Sequence, residues 1–225
     1  MKVISVLMQK GGSGKTLLVQ CLSVAAHAAG KSVAVIDLDP QATACKWGDR
    51  RNGDPVIISV QAARLPQTLK TARENGADLV IIDTPPRAAD AAMAAAQAAD
   101  LILIPCRPTI NDLETLGTTQ SLINGAGGKA KIAVILNGIP PKGQQRQQAE
   151  EAIRDMMLPV YTVSLGHRAA YTHAAALGMS AQEYEPKGKA AMEIEQLYKF
   201  TCKLLNSVTR GKDTNATESQ SATGA

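Results

Sequence analysis

Short runs of apolar, β-branched residues alternate with longer stretches of helical periodicity from the first residues to about Leu205. Runs at Val3–Met8, Ser32–Asp37, Val56–Val60, Leu79–Asp83, Leu101–Pro105, Ile132–Asn137 and Val160–Val163 predict strands. Helices are predicted at Lys15–Ala29, Pro66–Asn75, Ala88–Ala98, Leu113–Asn124, Gln144–Met157, Tyr171–Leu177 and Lys189–Asn206. Such alternation predicts βαβ units: one α/β domain whose mostly parallel, twisted sheet carries helices on both faces. Gly30, Gly76 and Gly178 stand just past three of the helical stretches, where C-caps are wanted. From Ser207 to Ala225 the residues are mostly small and polar and the apolar period is lost, so a domain over 1–206 and a disordered tail over 207–225 are expected. No internal repeat is evident.

Composition narrows the picture. The 225 residues fit a single domain, and 45% hydrophobic content with only 3% aromatics means an aliphatic core. So few aromatics argue against a stacking platform for single-stranded nucleic acid. Cys21, Cys45, Cys106 and Cys202 lie far apart without paired spacing, which argues against a zinc site or a disulfide framework. His27, His167 and His173 are isolated and are assigned no metal role. Met1 leads straight into an apolar alternation without the pattern of a signal peptide, and no run of about 18 apolar residues occurs, so a cytoplasmic protein is expected. The net charge of +4 divides as +3 up to Pro141 and +1 beyond it, so charge alone does not mark a nucleic-acid binder.

The sharpest chemical signal is Lys10-Gly11-Gly12-Ser13-Gly14-Lys15-Thr16, which follows an apolar strand and opens a helix. Strand, glycine loop and helix come in the order of a P-loop. Glycines let backbone amides turn around phosphates, the helix start adds its positive dipole end, Lys15 neutralises β/γ charge, and the Thr16 hydroxyl can ligand Mg²⁺. Gln9 stands where the general pattern has its first glycine, and Lys10 follows it. Two further apolar strands end in carboxylates. One runs into Asp37-Leu38-Asp39-Pro40-Gln41, whose two acids share a side while the chain stays extended; Asp39 before Pro40 is also a reasonable helix cap, which is compatible with a catalytic role. The other is Leu79-Val80-Ile81-Ile82-Asp83-Thr84-Pro85-Pro86, the Walker B pattern, with Asp83 set to hold Mg²⁺ through water.

Together these motifs resemble the deviant Walker A ATPases of the ParA/MinD superfamily, over about residues 1–206. The resemblance implies a P-loop NTPase binding ATP and Mg²⁺ through Lys10 to Thr16 and the following Leu17, which departs from a usual threonine. It implies that Lys10 reaches the phosphates of a partner subunit in an ATP-sandwiched homodimer. Asp39 is implied to position the attacking water and Asp37 to join the Mg²⁺ shell. Asp39, Pro40 and Gln41 form the first switch in this reading, and Thr84, Pro85 and Pro86 the second. Cys106 to Leu113 is similar to a segment near the family's dimer interface, with Asp112 as the interface residue; capping by Asn111 or Asp112 reads it equally well. Asn137 matches a position that contacts adenine, although a strand-end turn also explains it.

Leu165 to Tyr171 and Glu183 to Pro186 resemble the ParA C-terminal region. That match implies non-specific DNA contacts by Arg168, with Lys187 and Lys189 behind it unless they are simply solvated. It further implies a ParB-like centromere-binding adaptor that stimulates hydrolysis, DNA segregation or positioning as the task, and nucleoid association in the ATP state. An iron–sulfur reductase of this fold is disfavoured because no cysteine has the glycine-rich setting. A MinD-like membrane regulator would need a terminal amphipathic helix, and the stripe in Lys189–Asn206 fits a docked helix better, so no membrane partner is expected. A ParA-like role in conjugative DNA transfer is not separable from partition by sequence.

Overall fold

The structure, a computed structural model, describes the backbone of residues 1–161 and 163–218, and side chains within that set up to Ser207. Six strands form one parallel sheet in the order β3-β2-β4-β1-β5-β6: β1 (Lys2–Val6), β2 (Val33–Asp37), β3 (Val56–Ser59), β4 (Leu79–Asp83), β5 (Leu101–Cys106) and β6 (Lys131–Leu136). Between and after them lie α1 (Lys15–Ala28), α2 (Thr43–Arg51), α3 (Leu65–Glu74), α4 (Ala89–Ala98), α5 (Ile110–Gly125), α6 (Gln145–Asp155), α7 (Ala169–Ala176), α8 (Ala181–Tyr184) and α9 (Lys189–Glu218).

The two-residue period of the strands divides the core. Ile4, Val6, Val35, Ile81, Leu101 and Leu103 pack with Leu18, Leu22, Ile194 and Leu197 of α1 and α9. Their sequence neighbours turn to the other face: Val3, Ile36, Val80 and Ile82 meet α3 and α4, and Ile102, Ile104, Val134 and Leu136 meet α5 and α6. Both faces are covered, which is why the central strands read as unbroken apolar runs. Helix α4 is mostly alanine, and buried Ala91, Ala92, Ala95 and Ala96 let it lie close to the sheet. There the Ala95 carbonyl accepts the Ser5 hydroxyl at 2.7 Å.

Two sequence expectations change. Val160–Val163 is not a seventh strand but makes a parallel bridge to Val134, and Gly166 makes another to Ile139. The Tyr161 amide reaches the Val134 carbonyl, yet Leu165 rather than Val163 reaches the Leu136 carbonyl. The extra residues break the ladder, and Thr162 lies outside the described residues. Helix α9 continues to Glu218 rather than stopping at Asn206, because helix propagation needs only one backbone bond per added residue and no proline intervenes. Residues 219–225, the rest of the expected tail, lie outside the described residues.

Helix α2, which the apolar periodicity does not predict, ties the switch side of the sheet to the C-terminal helices. Trp47 is fully buried and donates its indole N–H to the Met179 carbonyl at 3.2 Å. Arg51 lies 5.4 Å from that ring and holds Glu183 through two bonds of 2.7 and 2.6 Å. Gly178 must be glycine here: its φ is +71° and a Cβ would stand 2.5 Å from the Arg51 amide nitrogen. Trp47→Ala should cost about 3–5 kcal/mol, lowering the melting temperature by about 10 °C. A thermal melt followed by circular dichroism checks this, and a loss under about 3 °C would show that α2 stands apart from the core.

Candidate functional site

Because the sheet is parallel, the loops after β1, β2, β4, β5 and β6 all emerge at one edge, where ligands of open α/β sheets bind. The loop after β1 is the Lys10–Thr16 segment. Gly12 and Gly14 take φ of +71° and +105°, which turns the chain into α1. Gly14 has no alternative, since a Cβ there would sit 2.0 Å from the Asn137 amide nitrogen. The first turn of α1 contains no acidic residue, so its amides and dipole face the loop unopposed.

Lys15 is buried and donates to the Met8 carbonyl at 3.0 Å and the Lys10 carbonyl at 3.1 Å. Burial pulls its pKa below the usual lysine range, and nearby Asp83 and Asp39 push it back up. It is a cation held by neutral oxygens, suited to receive an anion. Beside it Thr16 donates its hydroxyl to Asp83 Oδ2 at 2.7 Å, while Asp83 Oδ1 is buried with no hydrogen-bond partner among the described residues. Burial pushes the Asp83 carboxyl up to about 7; the Thr16 bond and Lys15 oppose that shift, and Asp37 and Asp39 add to it. A hard-oxygen pair with an unsatisfied buried acceptor fits a Mg²⁺ ion carrying water ligands. A cleft of about 380 Å³ opens here, lined by Gly11, Lys15, Thr16, Asp39, Gln41 and Pro86 among others.

The two acids of the Asp37–Gln41 stretch part company. Strand β2 ends at Asp37, and the chain turns, with Asp39 Oδ1 accepting the Gln41 amide at 2.9 Å and Ala42 at φ +51°. Asp39 therefore lines the cleft while Asp37 stays fully buried. Asp37 accepts amides from Asp39 at 2.9 Å, Ala44 at 2.9 Å and Cys45 at 3.3 Å, so its carboxylate caps α2. Burial still raises its pKa, with those three amides opposing. Pro40 and Gln41 lie exposed on the turn. In the second switch Thr84 is buried and donates to the Val6 carbonyl at 2.9 Å, Pro85 is buried and Pro86 reaches the cleft edge.

Other residues take partners that the sequence did not reveal. Lys10 forms an ion pair with Asp112 of its own chain, and Asp112 is almost fully buried rather than displayed. Thr109, not Asn111 or Asp112, is the N-cap of α5: its hydroxyl accepts the Asp112 amide at 3.3 Å. Asn137 donates its amide to the Ser13 carbonyl at 2.8 Å. Arg107 donates to the Gly12 carbonyl. A second cleft of about 310 Å³ adjoins the loop, lined by Leu17, Arg107, Asn137, His167 and Arg168 among others. Arg168 is held by Glu193, which also accepts the Gly166 amide at 3.1 Å and the Tyr171 hydroxyl at 3.0 Å. Lys187 and Lys189 are exposed near the start of α9.

Asp83→Asn should keep the Thr16 contact and remove the charge that burial opposes. A carboxyl raised from 3.8 to about 7 stabilises the fold fully below about 3.8 and loses that contribution as pH rises through 7. Nucleotide-free Asp83→Asn should therefore melt higher than the parent at pH 8 and about equally at pH 4. Equal melting at pH 8 would mean that Asp83 carries no penalty.

Comparison with known proteins agrees with this geometry. Residues 4–181 match the CbiA family, the CobQ/CobB/MinD/ParA nucleotide binding domain. The maintenance of carboxysome distribution protein A of Gloeobacter kilaueensis is 33% identical over 202 residues, 88% of this chain and 91% of the relative. Its namesake from Halothiobacillus neapolitanus is 32% identical over 205 residues, covering 86% and 93%. The septum site-determining protein MinD of Pyrococcus horikoshii, solved with Mg-ADP, superposes with a TM-score of 0.73 at 21% identity, over 92% of this chain and 98% of that one. The chain belongs to the CobQ/CobB/MinD/ParA family of nucleotide-binding domains, as a ParA/MinD-type ATPase.

Proposed function

We propose that this protein is a Mg²⁺-dependent ATPase that closes as a face-to-face homodimer on ATP and uses that cycle to distribute a cargo over DNA. The observation that carries this reading is the gathering of Lys15, Thr16 and Asp39 around one cleft at the sheet edge, with the half-satisfied Asp83 buried behind Thr16. Lys15 and the loop amides bind the β- and γ-phosphates. Thr16 and Asp83 hold the Mg²⁺, which when bound neutralises phosphate charge; Asp37 sits behind them and fixes the turn that presents Asp39. Asp39 orients the attacking water. Lys10 is bonded to Asp112 in its own chain, so reaching a partner subunit's phosphates requires that pair to open.

Similarity along most of their length to carboxysome distribution proteins favours a protein body as the cargo. Plasmid or chromosome partition with a ParB-like adaptor has in its favour the motifs and shorter matches, to the chromosome-partitioning ATPase Soj of Thermus thermophilus over 59% of this chain and to Protein ParA of Rhizobium radiobacter over 54%. The stripe of α9 is used in docking, with Ile194, Leu197 and Leu205 buried in the core beside α1. That favours DNA over a membrane as the surface, and among the described residues no helix is long and apolar enough to cross a membrane. Since Glu193 holds Arg168, the exposed Lys187 and Lys189 are the better candidates for phosphate contacts.

Binding to random-sequence duplex DNA should appear only with ATP and weaken steeply with salt. Replacing Lys187 and Lys189 together by alanine should reduce the salt slope by roughly four, two lysines from each subunit of the dimer. Asp39→Ala should keep ATP binding, lose turnover and accumulate as a DNA-bound dimer. Dimerisation with ATP but no DNA binding in any nucleotide state would refute the DNA-surface reading.

A further inference from the structure

Three carbonyls of the phosphate loop are each pinned by a side chain. Lys15 donates to the Lys10 carbonyl at 3.1 Å, Arg107 to the Gly12 carbonyl, and Asn137 to the Ser13 carbonyl at 2.8 Å. A trans peptide is planar, with its C=O and the next residue's N–H pointing in opposite directions. Holding the Gly12 carbonyl therefore turns the Ser13 N–H the other way, and holding the Ser13 carbonyl turns the Gly14 N–H. Arg107 and Asn137 both line the second cleft and neither lines the one that holds Lys15, Thr16 and Asp39. The Gly12 and Ser13 carbonyls are thus drawn away from the phosphate side, and the Ser13 and Gly14 amides are left facing it.

From this geometry we infer that Arg107 is a positioning residue for nucleoside di- and triphosphates, acting through the Gly12–Ser13 peptide. It rests on the reading of the loop as a phosphate site. The arginine is well placed to act as a fixed strut. Its own amide donates to Asp112 Oδ2 at 3.1 Å, and that buried carboxylate also holds Lys10 and the Thr109 hydroxyl. Gly12 leaves room for it, since a Cβ would stand 3.1 Å from the guanidinium nitrogen. Without the strut the Gly12–Ser13 peptide, one side of which is a glycine free in ψ, is able to flip and present a carbonyl to the phosphates. A preset peptide removes that cost from binding and places donors where phosphate charge arrives. Because the β-phosphate is common to ADP and ATP, both nucleotides benefit alike.

The test is titration of ADP and a non-hydrolysable ATP analogue, with Mg²⁺, into the parent, Arg107→Ala and Arg107→Lys. Arg107→Ala should weaken both nucleotides by a similar factor of about ten, the worth of one charge-assisted hydrogen bond. Arg107→Lys, which still donates to a carbonyl, should recover most of that loss. The nucleotide-free melting temperature should stay within about 1 °C of the parent, because the side chain is exposed. Unchanged affinity in Arg107→Ala overturns the inference. So does a loss confined to the ATP analogue, which would put the guanidinium on the γ-phosphate, or a loss that Arg107→Lys shares in full. A drop of several degrees in the nucleotide-free melt would make the role structural. If the parent itself bound neither nucleotide, the phosphate-site reading would fall first, which keeps the two failures distinct.

Discussion

Asp83 ends a central strand with one oxygen on Thr16 and the other facing no donor, deep in an aliphatic sheet. A lone carboxylate there opposes folding, and its raised pKa expresses that opposition. What surrounds it follows from the need to hold charge at that place. Lys15 is drawn in against neutral carbonyls rather than paired. Asp37, the register partner of Asp83 on β2, has its charge met by three amides of the next turn and helix. The molecule keeps an unbalanced charge pattern at the sheet edge and supports it with apolar packing on both faces. Regions arranged this way gain stability when a cation and polyphosphate arrive.

Whatever depended on neighbours in sequence was legible there. The phosphate loop, the strands and the helices flanking them could be read because glycine spacing and a period of two or 3.6 are local properties. The aliphatic character of the core followed from composition. Asp37 and Asp83 end strands as the apolar runs predict and Asp39 follows in the turn, but the runs do not show which of the three meets solvent. Period 2 holds only to the last strand residue, and the turn after Asp37 breaks it.

The misses share one physical cause. Helix α2, Thr43–Arg51, is polar and lacks a local cap: its N-terminal amides are satisfied by Asp37, on the preceding strand. Its anchors, Met179 and Glu183, lie over a hundred residues away. Lys10 pairs with Asp112, Arg168 with Glu193 and Asn137 with Ser13, and each partner comes from a different element. A sequence shows that a side chain can donate or accept; which group it meets depends on how strands are ordered in the sheet. The break between Val160 and Leu165 is of the same kind, since it exists only relative to β6.

The contacts on the Gly12 and Ser13 carbonyls come from residues 95 and 124 positions from their acceptors. The seven-residue signature is therefore not a portable module. Grafted between a strand and a helix of another scaffold, it would carry its glycines and lysines but not the orientation of its peptides, which the ends of β5 and β6 supply. A search that looks for the heptapeptide alone will accept chains in which those two strand ends offer no donor. In this architecture the chemistry of the motif is a property of the sheet.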